Sequence, residues 1–267
     1  EDIGNGDHSS LACIPPEAKG KAMLLVKEEG IIAGLRVAAV LFETVDKDLR
    51  ADFRIEDGSA VKPGDIAFYL SGSQQSVLKS ERLVLNIMQR MSGIATSTRR
   101  YVNRLAGLKT RILDTRKTTP GFRAIEKEAV RIGGGVNHRM GLYDMIMLKD
   151  NHIDYAGGIE KAIRATRNYL DSKGLDLKVE IEARTIPDVE IILKTGGIDR
   201  IMLDNFSVED TRKAVKIIAG KVETESSGGI TLDTIRDYAE CGVDFISAGA
   251  LTHHVRSLDM SLKAVPL

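Results

Sequence analysis

The chain has 267 residues, 43% of them hydrophobic and 28% charged, which is enough to bury a sizeable core in one large domain or two unequal ones. Lys+Arg and Asp+Glu balance at 38 each, so overall charge suggests neither nucleic acid nor anionic lipid as a partner. No apolar run is long enough to cross a membrane, the N-terminus lacks the order of a signal peptide, and two distant cysteines, Cys13 and Cys241, exclude a disulfide framework and suit a reducing cytoplasm.

Residues 1–70 read as a mixed segment. An apolar, β-branched stretch covers 30–42, a turn falls at Lys62-Pro63-Gly64-Asp65, and a strand is expected over 66–70. A long helix follows over 75–105, where Leu78, Leu85, Met88, Met91, Ala95, Val102 and Leu105 recur at helical spacing. Beyond residue 110 short apolar runs (111–114, 145–148, 178–181, 200–203, 221–223, 244–247) alternate with amphipathic helical stretches (122–132, 158–170, 187–194, 208–219, 232–240). Such alternation implies a parallel sheet, either open and doubly wound or closed into a barrel. Nearly every run ends in polar or charged residues: Asp114-Thr-Arg-Lys117, Lys149-Asp150-Asn151, Glu182, Asp204-Asn205, Glu225-Ser-Ser-Gly228 and Ser247-Ala-Gly249. Six such polar strand ends favour an α/β barrel, since a doubly wound sheet concentrates them at its switch point; six is nevertheless fewer than the usual eight.

Three constellations carry chemistry. Arg116, Lys117, His138, Arg139 and Lys149 would crowd like charges around one mouth, which is unfavourable without an anion there; arginine forks suit carboxylates and phosphates. Any one of them read alone is as readily a solvated charge partnered by Asp114 or Asp150. Glu182 and Asp204, on successive strand ends, suit an oxocarbenium-like centre, sugar hydroxyls or Mg²⁺ brought in with a pyrophosphate, or simply pair with the cations. The glycine loops 226–229 and 248–253 follow strands and precede expected helices, a setting in which backbone N–H groups bind phosphate. Arg90, taken alone, lays its stem along a surface with its head in water. Gly133-Gly134-Gly135 reads as a flexible connection, and His8, His152 and His254 have no metal-ligand spacing.

In order along the chain, EDIGNGD, NIMQRMSGIAT, DTRKTTPG, NHRMGLYD, MLKDNH, VEIEAR, IMLDN, ESSGGI and SAGALTH resemble the quinolinate phosphoribosyltransferase family, and the match covers nearly the whole length. The resemblance implies an N-terminal α/β sandwich with the long helix (1–105), an open α/β barrel of six or seven strands bearing the active site (106–252), and a C-terminal segment (253–267) returning to the first domain. It also implies a homodimer with shared sites. The activity implied is Mg²⁺-dependent transfer of phosphoribose from phosphoribosyl pyrophosphate to quinolinate with loss of CO₂, a step of NAD synthesis. Matched by motif, Arg116, His138, Arg139 and Lys149 would hold the two carboxylates, with Arg90 reaching in from the other subunit. Lys117 would meet the donor, Glu182 and Asp204 would face the ribose and metal-bound pyrophosphate, and Ser227, Gly228, Gly249 and His253 would bind the 5′-phosphate region. The family would place a helix before EDIGNGD and more often has threonine at Ser9-Ser10. Rival readings are a nicotinate phosphoribosyltransferase, a Schiff-base lyase using Lys117 or Lys149, and a phosphate-ligand sensor.

Overall fold

The computed structural model describes residues 2–265 and divides into two compact units, one of Glu1–Arg99, Glu128–Gly134 and His254–Leu267, the other of Arg100–Lys127 and Gly135–His253.

In the first unit, Asp7 caps a short helix α1 (His8–Cys13) by accepting the Ser10 N–H at 3.1 Å. Strand β1 (Lys19–Val26) buries Ala22, Leu24 and Val26 at alternate positions, the period of a strand with one face in the core. There follow β2 (Gly30–Ile31), α2 (Leu35–Val45), β3 (Arg50–Phe53), β4 (Ala60–Val61), β5 (Ile66–Ser73) and the helix α3 (Gln74–Arg104). Phe42 of α2 meets Phe68 of β5 edge to face at 5.5 Å, and Val77, Val84, Leu85 and Met88 of α3 join the same core. Leu78 departs from the expected pattern. It is exposed and the neighbouring Val77 is buried instead, because the stripe facing the sheet begins one residue earlier. Ser92 and Thr96 of α3 accept the N–H groups of Ala33 and Ile31 at 2.9 and 2.8 Å, satisfying donors at and just beyond the end of β2.

Within the glycine run at 133–135, Gly133 is a close-packing position: a Cβ on it would stand 2.6 Å from Ala95 O and from Thr98 Cβ, and its carbonyl accepts Arg99 Nε–H at 3.0 Å.

The second unit contains β6 (Arg111–Leu113), α4 (Arg123–Ile132), β7 (Ile146–Leu148), α5 (Asp150–Ala156), α6 (Ile159–Lys173), β8 (Val179–Ala183), α7 (Ile186–Thr195), β9 (Arg200–Asp204), α8 (Val208–Ile218), β10 (Glu223–Ser227), α9 (Ile235–Ala239), β11 (Phe245–Ser247) and α10 (Ala250–His253). α4 runs on into residues of the first unit. The parallel sheet has the order β6-β11-β10-β9-β8-β7, so the last strand pairs with the first, as strands do around a barrel. Val136 adds a one-residue parallel bridge to Leu113 beside β6, and no strand pairing joins that edge to β7 among the described residues.

Two expected elements shift. The strand expected at 221–223 lies at 223–227, and the helix expected at 232–240 shrinks to α9. Apolar residues do not mark β10 because its inward side chains are polar. α5, which follows Lys149, had no apolar stripe to announce it.

The chain closes in the first unit with β12 (Met260–Val265), antiparallel to β1 from Lys21↔Val265 to Val26↔Met260, giving the sheet order β12-β1-β5-β3.

Candidate active site

Because all six strands of the second unit are parallel, their C-terminal ends share one rim, and the residues that follow them are brought together by topology alone. The register shows which are neighbours. Met147 pairs with Glu180, so Lys149, two residues on, aligns with Glu182; Ser227 pairs directly with Asp204.

Lys149 Nζ donates to Glu182 Oε1, and Glu182 Oε2 accepts the Asp150 N–H at 3.0 Å. His152 closes the turn by accepting the Lys149 N–H on Nδ1 at 3.0 Å. Asp204 accepts from Asn205 Nδ2 at 2.8 Å, and its carboxyl is pushed above the usual range, first by burial and then by the Glu182 charge. Asn205 itself has φ 56° and sends its N–H to Ser227 O at 2.8 Å. Gly228 (φ 99°) is required beside it, since a Cβ there would run into Asn205 Oδ1 and stand 2.6 Å from its Cγ. Ser227, Gly228, Asp204 and Glu182 therefore form one continuous patch.

On the other flank, a Cβ on Gly249 would lie 2.9 Å from His253 Nε2 and 3.0 Å from Lys117 Cδ, which brings Gly249, His253 and Lys117 to one spot. Thr252 Oγ1 donates to Lys117 O at 2.8 Å and ties the two loops. α10 has four residues and α9 begins six residues after Gly229, so a phosphate here would rely on loop N–H groups and side chains more than on a helix dipole.

Arg116 and Arg139 supply the remaining charge. The Arg139 guanidinium is held below its usual pKa, first by burial and then by Arg116, so the two cations stand close enough to repel. Arg139 donates one N–H to Met145 O at 3.1 Å, and Arg116 Nε is buried without a hydrogen-bond partner among the described residues. A buried donor beside a like charge is the environment an anion relieves. Arg123, a residue that the sequence did not single out, shapes this flank: its Nε donates to Thr118 Oγ1 at 3.0 Å and its Nη1 to Met140 O at 3.1 Å.

His138 is placed differently from expectation. Its ring is buried, with Nε2 3.1 Å from Glu180 Oε2 and 3.3 Å from Glu225 Oε2, while Nδ1 accepts the Arg139 N–H at 2.7 Å. Nε2 thus lies within ion-pair distance of two carboxylates and Nδ1 holds a backbone N–H, so the ring is turned toward protein groups on both sides. Burial opposes the imidazolium, but the two carboxylates outweigh it and raise His138 to about 9. The Nδ1 bond works the other way, requiring a lone pair there; the geometry puts the proton on Nε2, facing the carboxylates.

In the sequence Glu225 was read with a strand end, and Glu180 lay inside the run 178–181 without being singled out. Each sits inside a strand, β8 or β10, facing the barrel interior. The His138, Glu180 and Glu225 ligand atoms lie within 4.8 Å of one another, a spacing a metal could use. Here Arg200, 3.2 Å from Glu225 Oε2 through Nη1, already supplies a positive charge, and the imidazole Nε2 faces both carboxylates. Arg90 lies on α3 in the first unit.

Family models for the N-terminal and C-terminal domains of quinolinate phosphoribosyl transferase match residues 7–92 and 94–263. A tobacco (Nicotiana tabacum) protein named quinolinate phosphoribosyltransferase [decarboxylating] 2a, mitochondrial, is 44% identical, over 98% of this chain and 79% of its own. A Bacillus subtilis protein named probable nicotinate-nucleotide pyrophosphorylase [carboxylating] is 42% identical, over 98% of this chain and 89% of its own. Among solved structures, NadC from Streptococcus pyogenes superposes with a TM-score of 0.93 at 39% identity, covering 99% of this chain and 93% of that one.

Proposed function

The chain belongs to the quinolinate phosphoribosyltransferase family, and on that premise we propose that it transfers phosphoribose from phosphoribosyl pyrophosphate to quinolinate and releases CO₂, in the synthesis of NAD. The observation that carries the diacid acceptor is the repelling pair Arg116 and Arg139, with a buried, unpartnered Nε on the first. Two forks and Lys149 match two carboxylates. In a homodimer, Arg90 of the second subunit would add a further cation. His138 acts on this set through the Arg139 backbone rather than by touching substrate.

The quinolinate nitrogen attacks the anomeric carbon as the bond to pyrophosphate oxygen breaks, and positive charge develops on the ribose. The Glu182 and Asp204 carboxylates stabilise that charge, with the burial of Asp204 strengthening the interaction. Lys117, Gly249 and His253, with Ser227 and Gly228, receive the phosphates. Mg²⁺ would arrive with the pyrophosphate and neutralise its oxygens; the oxygen-only donors of Asp204 and Glu182 fit such a hard cation nearby. Once the ring nitrogen is quaternary, the adjacent carbon can release CO₂, because the electron pair left behind is stabilised by the cationic nitrogen, and a proton then replaces it. No covalent nucleophile is needed, and Lys149 is paired with Glu182 at the strand ends. No helix among the described residues is long and apolar enough to cross a membrane.

The test is pyrophosphate and CO₂ release from phosphoribosyl pyrophosphate and Mg²⁺ with quinolinate or nicotinate as acceptor. Matched release with quinolinate alone is expected. Release with nicotinate alone would overturn the diacid pocket and retain the transferase, and release with neither would overturn both.

A further inference from the structure

Asp114 and Lys127 are fully buried, and the reaction as proposed uses neither. Asp114 follows β6, two residues before Arg116; Lys127 lies on α4. Burial pushes the Asp114 carboxyl up, against the Lys127 hydrogen bond that holds it down. Two well-packed apolar side chains would stabilise such a place as well as an ion pair or better, so a reason for the charges has to be sought in what they hold in position.

The polar atoms of the pair converge on the segment leading to Arg139. Lys127 Nζ donates to Asp114 Oδ1 and, at 3.0 Å, to His138 O. The His138 N–H donates to Asp114 Oδ1 at 2.8 Å. Asn137, with its amide nitrogen turned toward the pair, donates to Asp114 Oδ2 at 2.8 Å and to Lys127 O at 2.9 Å. The Asp114 N–H reaches Val136 O at 3.2 Å. The backbone from Val136 to His138 is thus pinned to the residue two places before Arg116. The phosphoribosyl flank is tied down separately, through the Asn205–Ser227 and Thr252–Lys117 bonds.

We propose that Asp114 and Lys127 are positioning residues for the dicarboxylate: their buried pair sets the spacing of Arg116 and Arg139, two guanidiniums that would otherwise move apart, while leaving the phosphoribosyl flank alone. The proposal rests on the diacid reading above.

The experiment measures kcat and both KM values for the full-length enzyme, with Asp114→Asn/Lys127→Met as the variant that removes both charges together. Misplacing a recognition group by about 1 Å can cost roughly 100-fold, so the KM for quinolinate is expected to rise about 10- to 100-fold while that for phosphoribosyl pyrophosphate stays within about 2-fold. Asn137→Ala, at an exposed position that threatens the fold less, should shift the same KM selectively by about 3-fold, the worth of one modest hydrogen bond. If Asn137→Ala leaves the quinolinate KM unchanged, or if the two KM values move together in a variant that still melts cooperatively, the pair is merely structural and the inference is overturned. Absence of quinolinate turnover by the unaltered enzyme would instead overturn the functional reading.

Discussion

Lys149 and Glu182 form an ion pair across neighbouring strands, with Lys149 Nζ on Oε1 and the Asp150 N–H on Oε2 at 3.0 Å. The lysine proposed to hold the acceptor and the carboxylate proposed to face the donor are therefore each other's partners. In the proposed reaction quinolinate would share Lys149 with Glu182.

Glu182→Gln separates these roles. It removes a charge aimed at the developing cation and frees Lys149 for the acceptor. We expect kcat to fall about 100-fold, the scale of losing one transition-state electrostatic group. The KM for quinolinate should stay level or drop. Steady-state kinetics with each substrate varied in turn check this; a higher quinolinate KM with kcat intact would show that Glu182 serves only to orient Lys149.

Gly228→Ala tests the Asn205–Gly228 contact. The left-handed φ of 99° and the approach of the new Cβ to Asn205 make the substitution strained. A non-glycine residue forced there costs about 1–3 kcal/mol. The melting temperature should fall, and the KM for phosphoribosyl pyrophosphate should rise more than that for quinolinate, because Asn205 and Ser227 shift on the donor flank. A folded variant with an unaltered donor KM would remove Gly228 from the phosphate site.

The buried Glu180 makes stability depend on pH. Burial first, and the Glu225 charge second, raise its carboxyl to about 7, against His138 and Arg200, which pull it down. A carboxyl raised on folding gives its full stability below the ordinary value of 4.5 and loses it as pH rises through about 7. At 1.36 kcal/mol per pKa unit the loss is about 3 kcal/mol. Denaturant melts of wild type and Glu180→Gln across pH 4.5 to 8 should therefore show the variant gaining on wild type as pH rises. A constant difference would mean that Glu180 is ionised throughout that range.

Much of the candidate site was legible because strand ends in parallel α/β folds are commonly decorated by residues that do chemistry. Arg116, Lys149, Asp204 and Gly249 each stand where an apolar run stops. α3 was legible from its spacing, though Leu78 was not: periodicity assigns a stripe, and only packing decides where its edge falls. Glu180, Glu225 and Arg200 escaped because a polar residue within or at the edge of a strand says nothing by itself of the charged interior it faces. Lys127 escaped because a lysine among glutamates on a helix normally faces water, whereas here Glu126 and Lys127 are both buried. His138 was recognised by motif as important, but its direction lay beyond reach, since a side chain's partners come from strands more than forty residues away.

By itself, the sequence determined the element types, the family, and the inventory of cations and carboxylates at the strand ends, because these depend on local spacing and on short ordered motifs. Tertiary structure alone decided which of those charges meet. The ring order that sets β11 beside β6, the register that aligns Lys149 with Glu182, and the burial that couples Asp114 to Lys127 and His138 to two glutamates all join residues distant in sequence. Electrostatic energy depends on separation and surroundings in three dimensions, so the partner of each charge is settled only once the chain has folded.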